Sequence, residues 1–299
     1  MSYFADRLIA AIDAKRTPAV VALDPEWQRL PESLRAAAGR AAPALKGIDA
    51  FCRRVIELIC PIVPAVKINS AYFECHGAEG VRLYFEMVQA ARQAGLIVIG
   101  DVKRGDVGHT ARRYAAAHLA GEGSPCAPDA VTVSGYFGRD GVEPFLDVAR
   151  QTGRGIFVLV RTSNPTAADI QDLRTAAGTR WHQVVAASVA GWAREDGLIG
   201  ATGYSAVGAV AATRDRRDAE ALRAAMPNCI LLVPGYGAQG GEAADFAPYF
   251  DSAGRGAIIA AGRSVIYAFD DAPGSDSAWE RSVEDACRRF AADLGRVMG

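Results

Sequence analysis

The sequence predicts a single (β/α)8 barrel, a TIM barrel, spanning residues 1–299. Three observations predict it. Eight short apolar runs alternate with helical patterns along the chain. Polar residues recur just after those runs, where a parallel α/β protein carries its chemistry. No stretch rich in Pro, Gly and Ser is long enough to divide the chain. A doubly wound sheet is the alternative, but eight runs at even spacing favour closure.

The elements follow in order. Residues 1–16 place Phe4, Leu8, Ile9 and Ile12 on one face of a helix. Residues 19–23 form a first strand, ending at Asp24. Residues 26–45 are polar and Ala-rich, an insertion of helical character, and 48–60 is a helix. The second strand, 65–69, contains Lys67, and a helix follows over 77–94. The third strand is 96–101 with its helix over 107–121. The fourth, 130–133, ends at Ser134. The fifth, 156–160, ends at Arg161-Thr162-Ser163-Asn164-Pro165. Residues 164–178 read as a loop over the barrel mouth, and 178–196 as a long helix. The sixth strand is 205–210. The seventh, 229–233, runs into a glycine-rich turn up to Gly241. The eighth, 257–261, ends in Gly262-Arg263-Ser264, and a helix over 277–296 closes the chain.

Composition narrows the function. Half of the 299 residues are hydrophobic, enough for a large core, and the net charge is −1. No basic tract suggests nucleic acid or a membrane surface as partner. The first residues show no signal-peptide pattern, and no apolar run reaches membrane-spanning length. The cysteines, Cys52, Cys60, Cys75, Cys126, Cys229 and Cys287, form no CxxC pair. They read as reduced thiols of a cytoplasmic protein. His76, His109, His118 and His182 have no metal-ligand spacing, so structural or solvent-facing roles are expected of them.

The stretch Gly100-Asp101-Val102-Lys103-Arg104-Gly105-Asp106-Val107-Gly108-His109-Thr110 is where chemistry concentrates. On an extended strand Asp101 and Lys103 point to the same side. Gly105 permits a turn, and Asp106 is placed to cap the next helix. Lysine usage sharpens this. Of 33 Lys plus Arg, only Lys15, Lys46, Lys67 and Lys103 are lysine. Two of these four lie in or just after apolar strands. Arg does not give up a proton near neutral pH, whereas Lys can. The ammonium groups of Lys67 and Lys103 are therefore candidates for function. At the other end of the chain, glycine-rich turns follow the seventh and eighth strands, with Arg263 beside the second. This suits a phosphate, gripped by backbone N–H groups and Arg263, with Gln239 as a neutral donor.

These residues resemble the orotidine 5′-phosphate decarboxylase family. Five blocks carry the resemblance: Leu23-Asp24; Lys67 ahead of Ala71-Tyr72-Phe73-Glu74; Asp101-x-Lys103-x-x-Asp106-Val107-x-x-Thr110; 234–241; and Gly262-Arg263. The length and the 161–165 block look like the longer bacterial branch, type 2. The resemblance implies metal- and cofactor-independent decarboxylation of orotidine 5′-phosphate to uridine 5′-phosphate in pyrimidine biosynthesis. It implies a charged network of Lys67, Asp101, Lys103 and Asp106, with Lys103 as proton donor. It implies a homodimer in which Asp106 and Thr110 serve the partner's site. Asp24 would hold the ribose, Ser134 would stand near where the family contacts the pyrimidine, and Thr162, at the end of the fifth strand, is a further substrate-binding candidate. Ser134-Gly135-Tyr136 departs from the Asn-Pro-Tyr of the long branch. Gln239, Gly262 and Arg263 would take the phosphate. Two other readings compete: a Mg2+-dependent sugar-phosphate enzyme sharing the Asp-x-Lys-x-x-Asp core, and a non-catalytic phosphate binder.

Overall fold

Eight strands pair in chain order and close on themselves in the computed structural model: β1 (Ala19–Leu23), β2 (Ala65–Asn69), β3 (Ile97–Arg104), β4 (Ala130–Ser134), β5 (Gly155–Arg161), β6 (Val207–Ala211), β7 (Leu231–Pro234) and β8 (Ala257–Ala261). Every pairing is parallel, including β8 with β1. The structure describes residues 3–39, 43–120, 127–213, 215–237, 240–270 and 278–298. The expected barrel is the observed one.

Side chains alternate across each strand. Val21, Leu23, Val66, Ile68, Val98, Val131, Val133, Ile156 and Val158 face outward, into the layer beneath the helices. Val20, Ala65, Ile99, Ala130, Phe157, Val210, Leu232 and Ile258 face inward. The same parity carries the inward row on to Asp24, Lys67, Asp101, Thr132 and Ser134 at the C-terminal end of the barrel. One period-2 rule thus makes both the core and the site.

The helices cover the outside. They are α1 (Phe4–Lys15), α2 (Glu32–Ala37), α3 (Pro43–Ile59), α4 (Ala71–Glu74), α5 (Gly77–Gln93), α6 (Gly108–His118), α7 (Arg139–Thr152), α8 (Ala168–Gln171), α9 (Trp181–Ala193), α10 (Arg216–Ala225), α11 (Arg263–Ile266) and α12 (Trp279–Val297). The sequence reading names no helix at α7 or α10. Pro144 stands inside α7 and reads as a breaker, although Val142, Phe145, Leu146 and Ala149 form a buried stripe there. In α10 charge masks a narrow stripe of Ala219 and Leu222, while Asp215 caps the N-terminus by accepting N–H bonds from Arg217 and Asp218. The third helix starts earlier than expected, at Pro43 rather than 48. Strand β3 runs three residues past its expected end. The 26–45 insertion holds a 3-10 turn (Trp27–Arg29), α2 and the start of α3. It packs inward through Leu30, and the Arg29 guanidinium lies 3.9 Å over the Tyr267 ring. Between β5 and α9, the expected loop contains a 3-10 turn (Pro165–Ala167) and α8.

Helix α1 closes the N-terminal end. Its Phe4, Leu8, Ile9 and Ile12 join the inward-facing residues in one apolar cluster. Phe4 meets Phe157 edge to face at 5.7 Å. A side chain at Gly155 has no room here, since a Cβ would stand 2.3 Å from the Phe4 ring. Phe4 is fully buried, so Phe4→Ala removes its transfer energy and leaves a cavity. It should lower the unfolding free energy by roughly 3–5 kcal/mol, read from urea unfolding. A loss under about 1 kcal/mol would mean that α1 is no plug.

Candidate active site

Asp101 is the centre of a buried ion triplet. Strand β2 presents Lys67 inward, and register places Asn69 opposite Asp101 on β3. Lys67 Nζ lies 2.6 Å from Asp101 Oδ2, and Lys103 Nζ lies 2.7 Å from Asp101 Oδ1. Lys67 is 8% exposed and Asp101 6%, whereas the Lys103 side chain is half exposed. Lys103 thus points a tethered ammonium into the open mouth. Burial pushes the Asp101 carboxyl up, but the two ammonium groups outweigh it and hold it well below the usual carboxylate range. Burial pushes Lys67 down. The Asp101 and Asp24 carboxylates outweigh that and leave it raised. Asp101 and Lys67 are therefore both charged at neutral pH.

The strand is not extended where Lys103 sits. Gly100 pairs with Val131, but the next pair is Arg104 with Val133. The excess residues form a bulge. Within it Lys103 adopts φ +44°, one of two non-glycine residues with positive φ among those described. Such a conformation costs roughly 1–3 kcal/mol and persists only when its surroundings hold it. Here Lys103 donates its backbone N–H to Thr132 Oγ1 at 2.9 Å, and Arg104 Nη1 donates to the Val102 carbonyl at 2.8 Å. The Thr132 hydroxyl in turn donates to Asp101 Oδ1 at 2.9 Å. Sequence reading missed Thr132. Its one signal is its inward parity, two residues before Ser134.

At the end of β1, Asp24 Oδ1 stands 3.9 Å from Lys67 Nζ, too far for a hydrogen bond, and is buried with no hydrogen-bond partner among the described residues. A buried carboxylate oxygen left this way awaits a donor. Gly262 backs onto Asp24, since a Cβ there would come 3.5 Å from Oδ2. Arg263 opens α11 with an exposed side chain. It and Lys67 act electrostatically on Tyr72, as does the Asp24 carboxylate. Asp24, Lys67, Gly262 and Arg263 therefore share one quarter of the mouth. Gln239 lies outside the described residues.

A cavity of about 720 Å³ opens on the same rim, at the ends of β5, β6 and β7. Its walls include Arg161, Thr162, Ser163, Thr213, Gly235 and Gly241, but none of the three charged residues. Its volume suits a small ligand. The ion triplet and this cavity are therefore separate parts of the same mouth. Thr162 is committed locally: its hydroxyl donates to Asn164 Oδ1 at 2.6 Å and accepts from Gln171 Nε2 at 2.7 Å. Ser134 Oγ accepts the Tyr136 N–H at 3.3 Å.

The sequence of residues 7–274 matches the profile of the orotidine 5′-phosphate decarboxylase / HUMPS family. The chain belongs to that family. An orotidine 5′-phosphate decarboxylase of Rhodopirellula baltica is 40% identical, covering all of this chain and 99% of the relative. One of Caldicellulosiruptor saccharolyticus is 33% identical, covering 92% and 93% of the two chains. Among solved structures, a protein assigned as the Streptomyces avermitilis orotidine 5′-phosphate decarboxylase superposes with a TM-score of 0.80 at 33% identity, covering 100% and 96%. Leishmania donovani OMP decarboxylase gives 0.75 at 28%, covering 100% and 99%. An enzyme of this decarboxylase family is a carboxy-lyase.

Within one chain of this family member, Lys67, Asp101 and Lys103 converge and Asp106 does not join them. The Asp106 Oδ1 accepts the N–H of Val107, the next residue, at 2.7 Å. Helix α6 begins at Gly108, with Val107 at the cap and no side-chain bond there, so Asp106 does not cap it as expected. Thr110 lies in the first turn of α6, beside the exposed Val107.

Asp101→Asn should be severe, because it leaves Lys67 buried without its main partner. The expected loss is roughly 3–5 kcal/mol of unfolding free energy at pH 7. The pH dependence has a definite sign. A depressed carboxyl pKa stabilises the fold above the ordinary carboxylate range, and that stability is lost as pH falls below it. The gap between wild type and variant should therefore shrink at pH 3. Urea unfolding at both pH values checks this, and a constant gap would contradict it.

Proposed function

We propose that this chain decarboxylates orotidine 5′-phosphate to uridine 5′-phosphate, in pyrimidine biosynthesis, without metal or cofactor. The observation that carries this reading is one carboxylate held between two ammonium groups at the barrel mouth. Breaking the C6–carboxylate bond releases CO2 and leaves the electron pair on an sp2 carbon. The Lys103 ammonium stabilises that pair and then transfers a proton to C6. Asp101 stands beside the leaving carboxylate. Two like charges about 4 Å apart cost roughly 4 kcal/mol at an effective dielectric near 20. That repulsion ends as neutral CO2 departs. Enzymes typically lower barriers by about 8–23 kcal/mol, so most of the effect belongs to fixed charge aimed at C6.

Other groups bind. Asp24 Oδ1, buried and lacking a donor, takes a ribose hydroxyl. Arg263, Gly262 and Gln239 take the phosphate, Ser134 lies toward the base, and Thr162 lines the adjoining cavity. The Mg2+-dependent reading of the same family needs carboxylates free to converge on a cation. Here Lys67 Nζ already stands 2.6 Å from Asp101 and 3.9 Å from Asp24, so an ammonium fills that place. A cytoplasmic location fits the cysteines, since Cys52, Cys60, Cys75, Cys229 and Cys287 are unbridged.

The site is completed in a homodimer, in which Asp106 and Thr110 reach the partner's Lys103. Two observations support this. Asp106 makes no bond to the charged triplet of its own chain among the described contacts. Beside it Val107, Tyr136 and Phe137 are 47%, 75% and 41% exposed, an apolar surface that needs covering.

Ultraviolet loss of orotidylate tests the reaction directly. Lys103→Ala should lower turnover by at least about 10³-fold while uridine 5′-phosphate still binds. Lys103→Arg should fail too, because Arg does not yield a proton. EDTA should leave wild-type turnover intact, and loss in EDTA would favour the metal enzymes.

Mixing Lys103→Ala with Asp106→Ala chains, each inactive alone, tests the shared site. In a mixed dimer one site is whole and the other lacks both groups. Random pairing makes about half the dimers mixed, so about a quarter of wild-type activity should return after joint refolding. Persistent inactivity, with mixed dimers verified by mass, would show that Asp106 serves its own chain.

A further inference from the structure

We propose that Thr132 is a positioning residue for decarboxylation: its hydroxyl fixes the bulge that aims the Lys103 ammonium. The proposal rests on the decarboxylase reading and adds a residue to it. Three hydrogen bonds and the chain itself close a ring. The Lys103 N–H donates to Thr132 Oγ1 at 2.9 Å, the Thr132 O–H donates to Asp101 Oδ1 at 2.9 Å, and Lys103 Nζ donates to that same oxygen at 2.7 Å. The chain from Asp101 through Lys103 completes it.

The proton count makes the ring directional. A hydroxyl has one proton and two lone pairs. Asp101, held charged by two ammonium groups, can only accept, so the Thr132 proton must point to it. The lone pairs are then left for the Lys103 N–H. That N–H needs an acceptor, because the bulge removes Lys103 from the ladder between Gly100–Val131 and Arg104–Val133. Thr132 is 1% exposed, so no water competes for the bond. A β-branched side chain on a packed strand is stiff at χ1. The positive φ of Lys103 is thereby held from a fixed point on the next strand. On its other side, Arg104 grips the Val102 carbonyl and pairs with Glu74, while its Nε donates to His118. Among the described residues, only Thr132 ties both the backbone of Lys103 and the acceptor of its ammonium.

A residue that aims the proton donor should affect kcat and spare binding. The groups placed on ribose and phosphate, Asp24, Gly262 and Arg263, lie at β1 and β8, not at β4. Thr132→Val keeps the shape and removes the hydroxyl. Thr132→Ser keeps the hydroxyl. Thr132→Ala and Thr132→Ser differ from each other only by that oxygen.

The experiment measures kcat and KM for orotidine 5′-phosphate in all three variants, together with lysine-labelled NMR. The chain has only four lysines, so the Lys103 ammonium signal can be assigned by substitution. Thr132→Val and Thr132→Ala should lose about 10- to 100-fold in kcat, as a misplaced catalytic group does, with KM little changed. Thr132→Ser should stay close to wild type. The Lys103 signal should move in Val and Ala and hold in Ser. Wild-type kcat in Thr132→Val, or an equal loss in Ser and Ala, would overturn the proposal. If Thr132→Val does not fold, the Ser–Ala pair decides. Inactive wild-type protein would sink the decarboxylase reading instead, and the NMR comparison would still judge the positioning role.

Discussion

A carboxylate can stay ionised inside a protein only if charge and hydrogen bonds replace its water. Asp101 meets that condition with Lys67, Lys103 and the Thr132 hydroxyl. The dependence runs both ways. Lys67 is 8% exposed, and the Asp101 and Asp24 carboxylates outweigh what burial costs its ammonium. The left-handed turn at Lys103 persists because strands β3 and β4 hold it from two sides. Such a cluster is rigid for the reason that it is charged and dry. Rigid charge costs no reorganisation when a reaction develops charge beside it, which is what electrostatic catalysis requires.

The barrel separates stability from chemistry along its axis. At the N-terminal end, α1 and the inward aliphatic rows form an apolar plug around Phe4 and Phe157. At the C-terminal end the same rows turn polar. Charge on the outer surface is handled differently. Arg139 and Arg150 share Glu143 and Glu195, and Arg29 pairs with Asp270. Exposed pairs of this kind contribute about 0–1 kcal/mol each. Arginine serves there because nothing asks it to lose a proton. Lys15 caps the Cys60 and Pro61 carbonyls after α3, and Lys46 is exposed. The other two lysines meet at Asp101.

Asp106 shows how far one chain goes. Its spacing from Lys103 places it in the charged motif, yet its carboxylate accepts a local N–H while Val107, Tyr136 and Phe137 stay uncovered beside it. A charged side chain lies there next to an uncovered apolar surface at the rim of a polar mouth. Proximity in sequence and proximity in space part here, and the turn at Gly105 is where they part.

The barrel was legible in the chain, through eight apolar runs whose period and spacing leave few other ways to bury both faces. So was the placing of Asp24, Lys67, Asp101 and Lys103 on one rim, because strand ends of a parallel barrel lie on one side. The sequence did not reveal α7, where Pro144 hides a buried stripe, or α10, where charge outnumbers its apolar face. Tertiary structure alone decided the bulge. A two-residue spacing on an ideal strand already brings Asp101 and Lys103 to one side, so nothing local announces a positive φ. That conformation is stabilised by Thr132, 29 residues away on another strand. Long-range partners of this kind leave no periodicity in the chain, and only the closed sheet brings them within hydrogen-bonding distance.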